Sequence, residues 1–481
     1  MPLKTAAPVV AASFLAMFAI HGSGVAAEAQ VRVTVDPSQT HQTMDGFGAS
    51  GAWWPTWVGD YPQAKQEQLL DLLFAEEGGI ALSIYRYNLP AGSDETTVER
   101  PERRTPMIET SPGVYDLAAD QKGLDLLAGV RERGVDHFVI FSNSPPPRLT
   151  ISGMSSGGPR GTSNLKPDSV DDFATYVLDL STLIRDRYDL PHVAISPVNE
   201  PQWTWGRDGR SQEGSHYEPD EVAAVIRATI EENLARDAGF EIEAPESGEW
   251  KSTMPYAKAL FDDPIIDEHL GELAIHSYWT SPEDREKAAR ELREAYPDKQ
   301  IAMTEYCEMR HGHGVGIDEG LHMAEVVHED LTVGNVVSWQ WWLGVAAGGY
   351  NDGLVYAHPE TQEIETTKRL WILGQWSKFV RPGYIRVEAT SADSRLKVTS
   401  FLSPDGSRLA TVMVNPTDED LAASVVAEDF EADARASYQT TAEADLAELD
   451  AVDGDISLPA KSVTTIVLDR HEAGASATQD D

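Results

Sequence analysis

Residues 193–201 are VAISPVNEP and residues 300–307 are QIAMTEYC. Each is a short, continuously apolar run that closes on a glutamate, Glu200 in the first and Glu305 in the second. Unbroken apolar runs of this length are what strands buried on both faces require. Six further runs of the same kind surround them: MDGFGASG (44–51), IALSIYRYNLP (80–90), HFVIFSNSPPP (137–147), FEIEAPESGEW (240–250), ELAIHSYW (272–279) and VVSWQWW (336–342). Between the runs lie stretches of helical periodicity. Over 169–188, Phe173, Val177, Leu180 and Ile184 share one face, with Ser169 placed to cap the N-terminus. Over 219–236, Val222, Val225, Ile226, Ile230 and Leu234 form a similar stripe. A strand–helix alternation repeated eight times predicts an α/β fold, the (β/α)8 TIM barrel, over residues 45–380.

Polar residues gather where the runs end: Arg86 and Asn88, Asn143, Asn199 and Glu200, Glu246, His276 and Tyr278, Glu305, and Gln340. In such barrels the active site forms at that end of the strands. Two carboxyl groups there suit cleavage of a glycosidic bond. One donates a proton to the leaving sugar oxygen, and the other, ionised, attacks the anomeric carbon.

Beyond Arg381-Pro382-Gly383 the period changes to two, in YIRVEA (384–389), SRLKVTSFL (394–402), RLATVMVN (408–415) and SVTTIVL (462–468), with a turn at Ser403-Pro404-Asp405-Gly406. This pattern predicts a C-terminal antiparallel β-sandwich over 381–470. VRVTVD (31–36), within the segment 30–44, is a further strand that can complete it. Residues 1–29 have an apolar core of about 15 residues, too short to span a bilayer comfortably, followed by small-residue cleavage sites. They are expected to be a secretory signal peptide, and 471–481 a disordered tail.

The 481 residues include 79 acidic and 38 basic side chains, for a net charge of −41. Such a charge repels nucleic acid and anionic membranes, so neither is an expected partner, and a secreted monomer is anticipated. The acidity serves either solubility or life at high salt. The single cysteine, Cys307, excludes an intrachain disulfide, and its neutral small side chain suits a buried filler. His311-Gly312-His313-Gly314 is half a metal pattern without acidic partners, and fits a loop at the rim of a cleft better. No G-x-S-x-G elbow or phosphate-binding glycine loop is present, leaving acyl and phosphoryl transfer without support. No cofactor and no metal are expected.

These residues resemble glycoside hydrolase family 30 across essentially the whole chain after the leader. Met44–Gly51 with Trp53-Trp54 is similar to the family's first strand, Ser83–Asn88 to its second and Ser142–Pro146 to its third. The third motif departs from the family in running on as Pro145-Pro146-Pro147-Arg148. Ser196-Pro197-Val198-Asn199-Glu200-Pro201-Gln202-Trp203, followed by Gln212-Glu213-Gly214, resembles the subfamily 5 endo-β-1,6-galactanases, which act on arabinogalactan side chains. The resemblance implies Glu200 as acid/base and Glu305 as nucleophile in a retaining double displacement on a polysaccharide or oligosaccharide. Arg86 and Tyr278 are then placed to stabilise Glu305, though Arg86 also fits a structural ion pair, and Asn199 to bond the sugar 2-hydroxyl. Asn143, His276, Trp53, Trp54, Trp203 and Trp339 complete the expected substrate-binding set, some of the tryptophans being open to a core role. Alternatives are a xylanase, β-1,6-glucanase or exo-β-glycosidase of the same family, a metal-dependent barrel hydrolase, or a non-catalytic carbohydrate-binding protein.

Overall fold

The computed structural model describes residues 29–158, 162–206, 211–432, 434–450 and 454–470. The expected tail, and all of the expected leader but Ala29, lie outside the described residues. Eight parallel strands form in the order of the eight apolar runs: Gly46–Ser50, Ile84–Asn88, His137–Phe141, His192–Ser196, Glu241–Ser247, Glu272–His276, Gln300–Tyr306 and Ser338–Ala346. Each pairs with the next, and the eighth pairs with both the seventh and the first, so the sheet closes into a barrel. The runs are continuously apolar because one face of each strand fills the barrel and the other meets the helices. Two short strands, Gly353–Ala357 and Ile364–Thr366, extend the sheet from the eighth strand and had no period-two signature in the sequence.

The helix Val170–Tyr188 buries Phe173, Val177, Leu180 and Ile184 as the 3.6-residue period requires. Ser169 occupies its cap position but makes no capping bond; the hydroxyl lies 3.5 Å from Asp168 Oδ1. Acidic Asp171 and Asp172 in the first turn, with Arg185 and Arg187 in the last, complement the helix dipole instead. The helix Pro219–Ala235 starts with a capping box in which the Glu218 amide donates to Glu221 Oε2 at 2.8 Å. Its stripe is buried except at Leu234, which is 51% exposed because the helix turns that position to solvent in its last turn.

The chain after the barrel, residues 385–469, forms a nine-stranded sheet together with the N-terminal strand. The strand Ala29–Thr43 is inserted between Ile385–Ser391, to which it runs antiparallel, and Leu421–Ala427, to which it runs parallel. The sheet is therefore mixed at this one join, since the N-terminal strand must run toward the barrel it enters at Met44. Alternation divides the sheet's faces. Leu409 and Met413 of Arg408–Asn415 pack with Val31, Val33 and Val35, whereas Ala410, Val412 and Val414 join the barrel-side core. The helix Lys368–Ser377 seals the two parts, with Trp376 Nε1 donating to Thr399 Oγ1 at 3.0 Å and Thr465 donating to Gln375 Oε1 at 2.6 Å. Among the described residues, no helix is long and apolar enough to cross a membrane.

Candidate active site

Glu200 follows the fourth strand and Glu305 stands in the seventh, both at the C-terminal rim. Local backbone irregularities aim them. Glu200 has φ +43° and Glu246 φ +59°, left-handed values that non-glycine residues seldom adopt. The pairing between the sixth and seventh strands slips between Met303 and Glu305, and that between the fifth and sixth between Pro245 and Ser247. Such bulges re-aim the side chains beside them. The Glu200 amide donates to the Glu246 carbonyl at 2.9 Å, tying the two rims together. Gly248 keeps room for the carboxyl: a Cβ there would come within 2.7 Å of Glu200 Oε1 and 2.8 Å of Trp203 Nε1.

Beneath the pair lies a buried polar layer. Arg86 Nη1 donates to Glu305 Oε2 at 2.6 Å and Nη2 to Asn199 Oδ1 at 2.9 Å, with Glu246 Oε1 3.3 Å away. Its guanidinium lies 3.7 Å from the centre of the Phe141 ring. Asn199 donates to Asn143 at 3.0 Å, and Asn143 to Asn88 at 3.1 Å. Tyr278 donates to Glu305 Oε1 at 2.9 Å. His276 Nε2 bonds Glu246 Oε2 at 2.9 Å, while Nδ1 lies 3.6 Å from Glu200 and 3.8 Å from Glu305. Glu246 also accepts from Ser196 Oγ at 2.8 Å and from Thr304.

Burial would drive Glu246 toward its neutral form, but Arg86, His276 and Thr304 outweigh it and hold the carboxyl down at about 2. For His276 burial likewise opposes charge, yet Glu305, Glu200 and Glu246 push the imidazole up to about 9. That direction favours the imidazolium at neutral pH, with three carboxyl groups around the ring. Glu305 is raised by burial, with His276 and Arg86 pulling against that rise. Ligand-capable atoms of Glu200, His276 and Glu305 lie within 4.8 Å of one another. A metal ion there would compete with the proton that Glu305, Glu200 and Glu246 favour on His276.

Above the layer opens a cleft of about 370 Å³ reached by Glu200, Glu305, Trp203, Tyr278, Trp279 and Trp342. Of the expected substrate-binding residues, Trp203 and Tyr278 line it. Arg86, Asn143, Asn199 and His276 do not; all four are buried, Arg86 and His276 against the glutamates and the two asparagines in the hydrogen-bond chain that runs on from Arg86. Trp53 lines an adjoining hollow of about 170 Å³, its ring centre 4.5 Å from the Arg103 guanidinium. The structure does not bring Trp54 or Trp339 to the cleft. Both are fully buried, and their indole nitrogens are spent on Ser50 O at 3.1 Å and Asp330 Oδ2 at 3.0 Å. Cys307 is buried with its thiol 3.7 Å from the Tyr278 hydroxyl. His311 reaches the cleft, its ring edge-on to Tyr350, whereas His313 pairs with Glu365 at 2.6 Å and stacks on Tyr356. Arg100, Arg103 and Asp352 also line the cleft, Asp352 raised to about 6 by burial, with Arg103 opposing. Arg103 ends the one-turn 3-10 helix Pro101–Arg103, and Arg100 and Asp352 lie in loops; none belongs to a segment with a sequence period, so nothing in the chain singled them out.

Residues 30–356 match the model of O-glycosyl hydrolase family 30, and residues 384–466 that of the glycosyl hydrolase family 30 beta sandwich domain. The chain is 22% identical to a glucuronoxylanase of Bacillus subtilis (strain 168), over 91% of this chain and 92% of that protein. It is 20% identical to an endo-β-1,6-galactanase of Hypocrea rufa, over 74% of this chain and 76% of the relative. The crystal structure of a conserved exported protein from Bacteroides fragilis superposes with a TM-score of 0.83 at 26% identity, covering 91% of this chain and all of that one. A closed barrel bearing a glutamate pair in an aromatic cleft, with these matches, makes the protein a glycoside hydrolase. More narrowly, it belongs to glycoside hydrolase family 30, whose β-rich second domain it also carries, and its substrate is a carbohydrate.

Proposed function

We propose that the protein is an exported, retaining endo-hydrolase of β-1,6-galactan, with Glu305 as nucleophile and Glu200 as acid/base. The observation that carries this reading is the approach of a Glu200 oxygen to within 4.8 Å of a Glu305 oxygen. Retaining enzymes hold their carboxyl groups about 5–5.5 Å apart, whereas inverting ones leave about 6.5–9.5 Å for a water. Glu305 attacks the anomeric carbon while Glu200 protonates the departing oxygen, and the glycosidic bond breaks. Glu200, now ionised, takes a proton from water, which attacks the same carbon and releases Glu305 with configuration retained. Arg86 and Tyr278, one on each Glu305 oxygen, support the ionised form needed for attack. The His276 imidazolium offsets the charge that the two carboxyl groups concentrate.

The galactan assignment rests on the run from Ser196 to Trp203 with Gln212-Glu213-Gly214, and on the galactanase relative. A second reading, hydrolysis of a xylan bearing acidic substituents, draws on the glucuronoxylanase relative and on Arg100 and Arg103. These two cations face the cleft in a chain of net charge −41, and a guanidinium pairs well with a carboxylate. Digestion of β-1,6-galactan, glucuronoxylan and β-1,6-glucan, with product length and anomeric configuration followed by NMR, separates these readings. Galactan-derived oligosaccharides of retained configuration are expected; an inverted first product would remove Glu305 as nucleophile. With an activated aryl glycoside, azide should restore turnover to Glu200→Gln and give a glycosyl azide of retained configuration; rescue of Glu305→Gln with retained configuration would reverse the assignment.

A further inference from the structure

A second hollow, of about 450 Å³, lies behind the wall formed by Tyr278, Trp279 and Met309, and it shares that wall with the catalytic cleft. Ser281, His322, Glu325 and Glu329 are among the residues beyond the wall. The wall is capped by apolar surface: Trp279 is 53% exposed and Met309 43%. Of the 12 tryptophans, Trp279 alone stands among the chain's exposed large apolar side chains, although an indole is the most rewarding side chain to bury. Its backbone has φ +42°, a strained conformation for a bulky aromatic residue. Strain and exposure at a cleft wall both argue for a contact made with something other than the protein itself.

Direction along the cleft follows from neighbours. Trp279 meets Trp203 edge-on at 5.4 Å, and the Trp203 indole nitrogen and Glu200 Oε1 flank one spot, 2.8 and 2.7 Å from where a Cβ on Gly248 would lie. Trp279 therefore stands on the side of Glu200. Trp53 and Trp342, edge-on at 5.2 Å, and Arg103 lie toward Arg86 and the loop after the second strand. The group that protonates a leaving oxygen must sit beside the departing sugar.

We propose that Trp279 is the platform on which the departing half of the polysaccharide stacks, and that the hollow behind it receives the next sugar unit of that half. The inference rests on Glu200 being the acid. The apolar C–H face of a pyranose ring matches the indole face, and the polar groups beyond suit its hydroxyls. Trp279 is thereby a residue that determines specificity for chains over short glycosides, and the cleft extends on both sides of the glutamates.

The test compares Trp279→Ala and Trp279→Phe with the wild type, as the full chain, on two probes. One is β-1,6-galactan; the other is β-1,6-galactobiosyl fluoride, whose leaving group needs no sugar platform. Should the wild type prefer xylan or β-1,6-glucan, the matching polymer and biosyl fluoride are used. For Trp279→Ala, kcat/KM on the polymer should fall about tenfold, the size of one good aromatic contact. Turnover of the fluoride should stay within about twofold, and Trp279→Phe should recover most of the loss. Equal losses on both probes, or an unchanged polymer rate, would overturn the proposal. Failure of the underlying reading shows elsewhere, as azide rescue of Glu305→Gln, and not of Glu200→Gln, with a glycosyl azide of retained configuration.

Discussion

Replacing Glu246 by glutamine keeps the side chain's shape and removes its charge. In the wild type that charge is fully buried and bonded to Ser196, His276 and Thr304, with Arg86 at 3.3 Å. Its carboxyl is held at about 2, against an ordinary value of 4.5. At 1.36 kcal/mol per unit, this depression amounts to about 3 kcal/mol of folding stability at neutral pH. The sign follows from the direction of the shift. A carboxyl lowered in the folded state stabilises above its unfolded value, and the contribution fades as pH falls from 4.5 through about 2. Urea denaturation at pH 7 should therefore show Glu246→Gln less stable by about 3 kcal/mol, and at pH 3 by about half that, since the wild type has by then lost part of its advantage. The variant should also lose activity, because Arg86 and His276 would face Glu305 without their counter-charge. A stability gap below about 1 kcal/mol, or one indifferent to pH between 7 and 3, would refute the reasoning that Glu246 anchors this layer as a charge.

His276 carries the opposite sign: raised from 6.5 to about 9, it stabilises fully below 6.5 and loses that contribution as pH rises through 9. His276→Gln should erase an alkaline loss of about 3 kcal/mol that the wild type shows between pH 6 and 9.5, measured by urea titration. Arg86→Met strands Glu246 and Glu305 as buried charges and should cost about 3–5 kcal/mol in the same assay; a loss near zero would mean that the carboxyls simply take up protons. With 79 acidic against 38 basic residues, the melting temperature should rise between 0.1 and 1 M sodium chloride, as the screening length shrinks from about 10 to about 3 Å. A flat or falling melting temperature would leave the acidity as a solubility feature.

By itself the sequence determined the barrel, its eight strands and the two strand-end glutamates. A strand covered on both faces is mostly apolar, with few exceptions such as Glu243, so most of its polar residues collect toward the mouth, where the substrate has access. It also offered the N-terminal strand to the C-terminal sheet, because Val31, Val33 and Val35 alternate with polar neighbours; the pairing with Ile385–Ser391 and Leu421–Ala427 is seen only in the structure. Only the tertiary structure decided which aromatic and charged groups meet the sugar. Trp53 and Trp54 are adjacent, yet one lines a hollow at φ +64° and the other is spent in the core. Trp279 follows the sixth strand and a left-handed turn lifts it out, whereas Trp339, second in the eighth strand, is held in by Asp330. Arg103, in a 3-10 turn, and Asp352, in a loop more than two hundred residues away, meet in one cleft from segments with no periodic pattern. Burial on both faces of a strand is written locally in consecutive side chains. The direction a rim side chain takes is set by backbone angles and by partners that only long-range packing supplies.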